Sequence, residues 1–188
     1  EGETPTKDEL IRLITKVSDN WADYINPDEV KVTNIYDRGN QNTILSNFAN
    51  RPFFLTSLNG GTADEQALFS LLGPAIEYGH LVFSSVEQAF QMMKMLLPSM
   101  QEFTKEALDN GVTAEEKARI DKADAIVEKM KKTNNPSALY RLGNTRSILT
   151  DSELQIWDNN KRAVMKALIR ASLKQNPKAL QALLATGN

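Results

Sequence analysis

FSSVEQAFQMMK, residues Phe83 to Lys94, sets one glutamate and one lysine into an otherwise apolar, helix-forming run. From Ser85 to Leu97 the apolar residues Val86, Phe90, Met93 and Leu97 recur at three- and four-residue steps, and Pro98 stops the run. This spacing predicts a buried helix. Ser84-Ser85-Val86-Glu87 fits the S-x-x-E capping box, in which the serine oxygen accepts from the amide three residues on and the glutamate reaches back to the serine amide. Spacing alone favours the cap. The same helical turn points backbone N–H groups outward and favours an anion, so Glu87 also reads as a residue aimed at a ligand.

Around that stretch the pattern is helical with a minor extended component. Thr6-Lys7-Asp8-Glu9 is a capping-box pattern, and Leu10, Ile11, Ile14, Val17, Trp21 and Ile25 predict an amphipathic helix over about 7–25. Val30 and Val32, with Ile35, read as a short strand, and Pro52-Phe53-Phe54-Leu55 as a second. Ala63 to Leu72 predicts a short helix, whereas Ala75 to Phe83, interrupted by Gly79, reads as an extended segment or hairpin. Gln101 to Lys132 is charged, with Ile120 and Ile126 among its sparse apolar positions, and predicts one or two exposed helices. After a loop at Leu142-Gly143-Asn144, Asp151 or Ser152 caps a long helix carrying Leu154, Trp157, Val164, Met165, Leu168 and Ala171. Asn176 as N-cap and Pro177 as first helical residue start a last helix with Leu180, Leu183 and Leu184.

A chain of 188 residues, 41% hydrophobic and 24% charged, has room for one well-buried domain and falls short of two ordinary ones. The net charge of -2 gives no broad attraction for nucleic acid, so contact with DNA or RNA would have to be local. The absence of cysteine excludes disulfides, thiolate catalysis and Cys-ligated zinc. His80, the single histidine, cannot build a multi-histidine metal site. No stretch approaches ~20 consecutive apolar residues, and the N-terminus shows no basic-then-apolar signal. The sequence reads as an intracellular or otherwise non-secreted product, and its Glu1 start as that of a processed product or fragment.

Individual residues leave the chemistry open. Lys94 lies seven residues after Glu87, two turns along roughly the same helical face, as a snorkelling surface lysine or a partly buried amine able to form a Schiff base with a sugar carbonyl. Trp157 suits core packing or stacking on a flat ring. Asn47, in Leu45-Ser46-Asn47-Phe48, ties a turn or orients a ligand hydroxyl. Asn59-Gly60-Gly61 is a plain turn with no phosphate-loop pattern after it. Arg141, Arg146, Lys161 and Arg162 make a loosely basic zone around Gly143 that reads more readily as a solvated face than as a phosphate site.

Several segments taken in order resemble one family. Ile44-Leu45-Ser46-Asn47-Phe48 with Pro52-Phe53, then Phe83-Ser84-Ser85-Val86-Glu87-Gln88-Ala89-Phe90-Gln91 with Lys94, then Leu142-Gly143, then Trp157 with Lys161, Val164 and Met165, and finally Leu180 to Thr186 look like the YbiA-like, or NADAR, family. Its pattern reads approximately as an (F/L)SNF segment, a (Y/W)-P-(S/T)-x-E-H-Y-F-Q-x-x-K segment, an L-G-R loop, a W-x-x-x-K-x-x-V-M helix and a leucine-rich end. The matches leave out the N-terminal helix and the charged stretch over about 101–132, which reads as a helical insertion. Gln88 stands where the family usually has His, and Asn144 where it usually has Arg, with Arg146 as a substitute. Family members continue beyond the point matching Leu184 into a segment with an active-site aspartate, a W-G pair and a G-K-N-x-L-G motif, none of which this sequence contains.

The resemblance implies a mainly α, single-domain fold over residues 1–188 with a few short β strands, and a hydrolase with N-glycosidase chemistry. Known members cleave a ribosyl carbon–nitrogen bond, in phosphoribosylamino intermediates or in ADP-ribosyl groups on guanine in DNA. Carried onto this sequence, it implies Glu87 and Lys94 as catalytic residues, with Asn47, Phe48, Gly143, Arg146 and Trp157 around the substrate. It implies no metal and no cofactor. The expected partner is ADP-ribose or a phosphoribosylamino small molecule, free or attached to DNA, with no membrane association and a cytoplasmic location. The alternative is a catalytically inactive NADAR-like domain that binds a nucleotide or serves an assembly of proteins, for example as a processed phage virion protein.

Overall fold

The computed structural model describes residues 44–55, 63–79, 82–144 and 147–186. In chain order these form strand β1 (Phe53–Phe54), helix α1 (Ala63–Gly79), strand β2 (Val82–Phe83), helix α2 (Val86–Met95), a 3-10 segment (Pro98–Phe103), and helices α3 (Lys105–Asn110), α4 (Ala114–Lys131), α5 (Pro136–Gly143), α6 (Asp151–Gln175) and α7 (Pro177–Ala185). The class is mainly α, as the sequence predicts, and the two strands pair antiparallel with Phe53 opposite Phe83 and Phe54 opposite Val82. The predicted N-terminal helix, the strand at Val30, the Asn59 turn, His80 and Arg146 lie outside the described residues.

Helix α2 starts one residue later than its serine pair suggests. Ser85 is the N-cap, and its hydroxyl accepts from Gln88 N–H at 3.1 Å. Gln88 Oε1 then accepts from Ser84 N–H at 2.7 Å, so the glutamine, not Glu87, closes the turn. Two adjacent serines make both frames legible in sequence, and burial selects between them. The Gln88 amide also donates to the carbonyls of Met130 at 3.0 Å and Thr133 at 3.3 Å, which ties the start of α2 to the end of α4. Glu87 is thereby released from the capping role.

Val86, Glu87, Gln88, Ala89, Gln91, Met92, Met93 and Met95 are all buried, so α2 is covered on nearly every side. Its neighbours are α4, α5 and α6, and α1 packs against α6. The core runs through Phe53, Leu72, Ile76, Phe83, Met92, Met93, Met130, Leu139, Trp157 and Leu168. A smaller cluster of Leu173, Ala179 and Leu180 joins α6 to α7.

Five further expectations need correction. The segment from Ala75 is not extended, because α1 runs through Pro74 to Gly79. Proline removes the N–H that would bond the carbonyl four residues back. Leu68, Phe69, Leu72, Ala75 and Ile76 nevertheless keep a helical spacing across it and are all buried, and that burial offsets the lost bond. The charged stretch is not simply exposed, since Ile120, Ala123, Ile126, Val127 and Met130 give α4 a buried stripe. Thr150 caps α6 in place of Asp151 or Ser152, and Leu142-Gly143 completes helix α5 instead of forming a loop. Asn176 does precede α7, but its amide donates to the carbonyls of Pro52 at 3.1 Å and Ser172 at 2.8 Å and makes no cap bond.

Helix α4 opens with a full capping box. Thr113 N–H and hydroxyl donate to Glu116 Oε2 at 2.9 and 2.8 Å, and Glu116 N–H donates to Thr113 Oγ1 at 3.2 Å. The backbone bond from Thr113, and then its hydroxyl, hold the Glu116 carboxyl below its ordinary value. Because the folded value is depressed, this support is present at neutral pH and is lost as pH falls through that depressed value. A side-chain NMR titration of Glu116 should give a midpoint below 4.5, and one at or above 4.5 would mean the box does not persist in solution.

Candidate active site

Glu87, Phe90, Gln91 and Lys94 fall at helical steps of three and four, so one face of α2 carries all of them. Glu87 is 8% exposed, and its Oε1 accepts from Gln91 Nε2 at 2.8 Å. Its backbone N–H donates to Asn47 O at 3.0 Å, which sets the Ser46–Asn47 turn over the first turn of the helix. Lys94, half-buried at the other end of the face, donates to Gly143 O at 2.8 Å. That places an ammonium at the C-terminus of α5, where the last carbonyls lack helical partners.

Gly143 is where α5 and α2 come closest. A Cβ built there would overlap Gln91 Oε1 and stand 2.6 Å from Gln91 Cδ and 3.2 Å from Gln91 Cβ. A larger residue there would have to displace the Gln91 carboxamide. Glu87, Gln91, Gly143 and Lys94 therefore form a continuous chain of contacts, with Phe90 between the two ionisable residues along the helix. Trp157, buried on α6, packs on Phe90 with ring centroids 4.7 Å apart and planes tilted by 56°. The Asn47 amide contacts Met165 Sδ on α6 at 3.6 Å. Phe48 is 41% exposed, with its N–H on Ser46 Oγ at 3.2 Å.

No protein-family model, curated protein or solved structure matches this chain.

Of the residues singled out from sequence, Asn47, Glu87, Lys94, Gly143 and Trp157 are joined through α2 by direct contacts or by one intermediary. Phe48 stands at the exposed edge of the same turn. The basic zone does not gather: Arg141 and Arg162 are exposed and Lys161 pairs with Asp158 at 2.8 Å. Gln88 is occupied in structural bonds. Two residues with no sequence-based role enter instead. Gln91 orients the Glu87 carboxylate and was legible as its i+4 neighbour. Arg51 is buried beside Ser46, and nothing in the sequence marks it.

An open groove of about 440 Å³ lies elsewhere, between the strand pair and the α6–α7 junction, and is lined by Phe54, Val82, Lys174 and Gln175 among others. The Gln175 carboxamide accepts from Phe54 N–H at 3.0 Å and donates to Phe54 O at 2.6 Å, taking the place of a third strand on β1. None of Asn47, Glu87, Lys94 or Trp157 lines this groove, and among the described residues its walls offer no carboxylate. The α2 face is the better candidate for chemistry. Among the described residues no group of three His, Cys, Asp or Glu gathers as a metal site, and no helix is long and apolar enough to cross a membrane.

Proposed function

We propose that the domain hydrolyses ribosyl carbon–nitrogen bonds, in ADP-ribosyl-guanine or phosphoribosylamino substrates. The supporting observation is a single helix face on which Gln91 orients the Glu87 carboxylate and Lys94 stands two turns away. As the C1–N bond breaks, its electron pair leaves with the nitrogen, which takes up a proton. Positive charge develops on C1, where a fixed carboxylate stabilises it. The Lys94 ammonium gives that proton to the leaving nitrogen, leaves the Gly143 carbonyl and, now neutral, adds through Nζ to C1. It loses protons as the C1–O4′ bond opens and O4′ becomes a hydroxyl, giving an imine that water hydrolyses to free sugar and amine.

With ADP-ribosylated guanosine as substrate, wild type should release free ADP-ribose. Glu87→Gln should lower release by roughly 100-fold or more while the protein stays folded by circular dichroism. Equal release by the two proteins would remove Glu87 from the mechanism.

One observation favours a second reading, an inactive nucleotide-binding or assembly domain. Lys94 bonds the Gly143 carbonyl at the end of α5 as a C-terminal strut would, which needs no chemistry. That reading expects no release from any ribosyl substrate, yet thermal stabilisation by ADP-ribose through mass action on the folded state.

A further inference from the structure

Among the described residues, no counter-charge faces Arg51. The residue is 3% exposed, its Nη2 donates to Ser46 O at 3.2 Å, and its Nε is buried without an acceptor. Burial pushes the guanidinium below its ordinary value by desolvation, with no carboxylate acting against it. Buried charges are ordinarily paired, so an unpaired one marks a place where an anion belongs.

A second unsatisfied donor lies at the same junction. Arg51 N–H donates to Ser84 O at 2.9 Å, and Ser84 Oγ is buried without a partner. Ser46 O accepts from the guanidinium, and the next carbonyl, Asn47 O, accepts from Glu87 N–H. Arg51 and Ser84 thus flank the amino end of α2, a ten-residue helix whose first turn favours negative charge. The Glu87 and Gln88 amides of that turn are taken by Asn47 O and Ser85 Oγ, so the guanidinium fork and the Ser84 hydroxyl are the groups left to hold a phosphate, with the helix dipole behind them.

We infer that Arg51 and Ser84 form a phosphate subsite at the amino end of α2, holding the phosphate of a phosphorylated sugar whose reacting carbon lies toward Glu87. The inference rests on the glycosidase reading for the sugar but not for the anion. It extends the site beyond the residues that the sequence singled out.

Thermal unfolding of the full chain, titrated with inorganic phosphate against chloride at matched ionic strength, tests it. Wild type should show a saturable rise in Tm of about 5 °C or more at a hundredfold excess over Kd. Ribose 5-phosphate should match or exceed it, and ribose and acetate should not reproduce it. Arg51→Met should lose the phosphate response. Arg51→Lys keeps a charge without the Nε–H and should bind phosphate about tenfold more weakly. It decides the matter should the methionine variant fail to fold. No saturable response in wild type, or an unchanged response in a folded Arg51 variant, overturns the subsite. The readout separates the two proposals. An Arg51-dependent phosphate response with no ribosyl cleavage sinks only the glycosidase, and cleavage of a phosphorylated substrate with unaltered KM in Arg51→Met sinks only the subsite.

Discussion

Glu153→Ala is expected to cost about 3–5 kcal/mol of folding stability, the range for breaking one side of a buried ion pair. Glu153 is 1% exposed, and Arg119 Nη1 donates to both of its oxygens at 2.8 Å. Its Oε2 also accepts from Thr150 N–H at 2.8 Å as the return bond of the α6 capping box. The alanine variant leaves the Arg119 guanidinium, whose side chain is 19% exposed, with the Ile148 carbonyl but no counter-charge, and the N-cap amide of Thr150 without its acceptor. At roughly 2–4 °C per kcal/mol for a chain of this size, Tm should fall by about 6–20 °C. Glu153→Gln retains an acceptor for the Thr150 amide and should lose less. Replacing both partners with methionine removes the stranded charge and should recover much of the loss. A Tm change under ~2 °C in Glu153→Ala would mean that the pair is hydrated and worth no more than a surface bridge.

This ion pair positions the candidate site as well as stabilising the fold. Arg119 lies on α4 and Glu153 in the first turn of α6, and both helices pack against α2. Trp157 follows Glu153 by one helical turn, so the pair helps to fix where the indole meets Phe90.

What the sequence made legible was local. Hydrophobic period identifies α2, α6 and α7 because their apolar stripes and flanking prolines act within a few residues. The errors were local too, where two readings competed. Ser84 and Ser85 offer overlapping boxes, and Thr150-Asp151-Ser152-Glu153 offers three caps, of which only the threonine has the glutamate at the third position. Gly79 suggested an extended segment from Ala75, but a buried stripe carries the helix through Pro74 to Gly79. Contacts between distant positions were beyond reach. Lys94 and Gly143 are 49 residues apart and Arg119 and Glu153 34 apart, and no periodicity links such pairs. The unpaired Arg51 is the extreme case, since an arginine in a loop gives no sign of burial until the chain folds over it.

Gly143→Ala tests whether the meeting of α5 and α2 is as close as it stands. The added methyl would displace the Gln91 amide, which is wedged between Gly143 and Glu87. Overpacking of this kind costs about 1–3 kcal/mol, so Tm should fall by roughly 2–12 °C. A displaced Gln91 no longer orients the Glu87 carboxylate, and a shifted α5 no longer presents its last carbonyl to Lys94. Under the glycosidase reading, ADP-ribose release should therefore drop by about 10-fold or more at a temperature where the variant is fully folded. Gly143→Ala combined with Gln91→Ala separates the effects, because the second substitution removes the overlapping amide and restores part of the stability but cannot restore the Glu87 contact. Stability recovered without activity is the expected pattern. A Gly143→Ala variant with wild-type Tm and an unchanged Gln91 side-chain amide signal in NMR would show that the two helices stand further apart in solution, and the contact chain from Glu87 to Lys94 would then lose its central link.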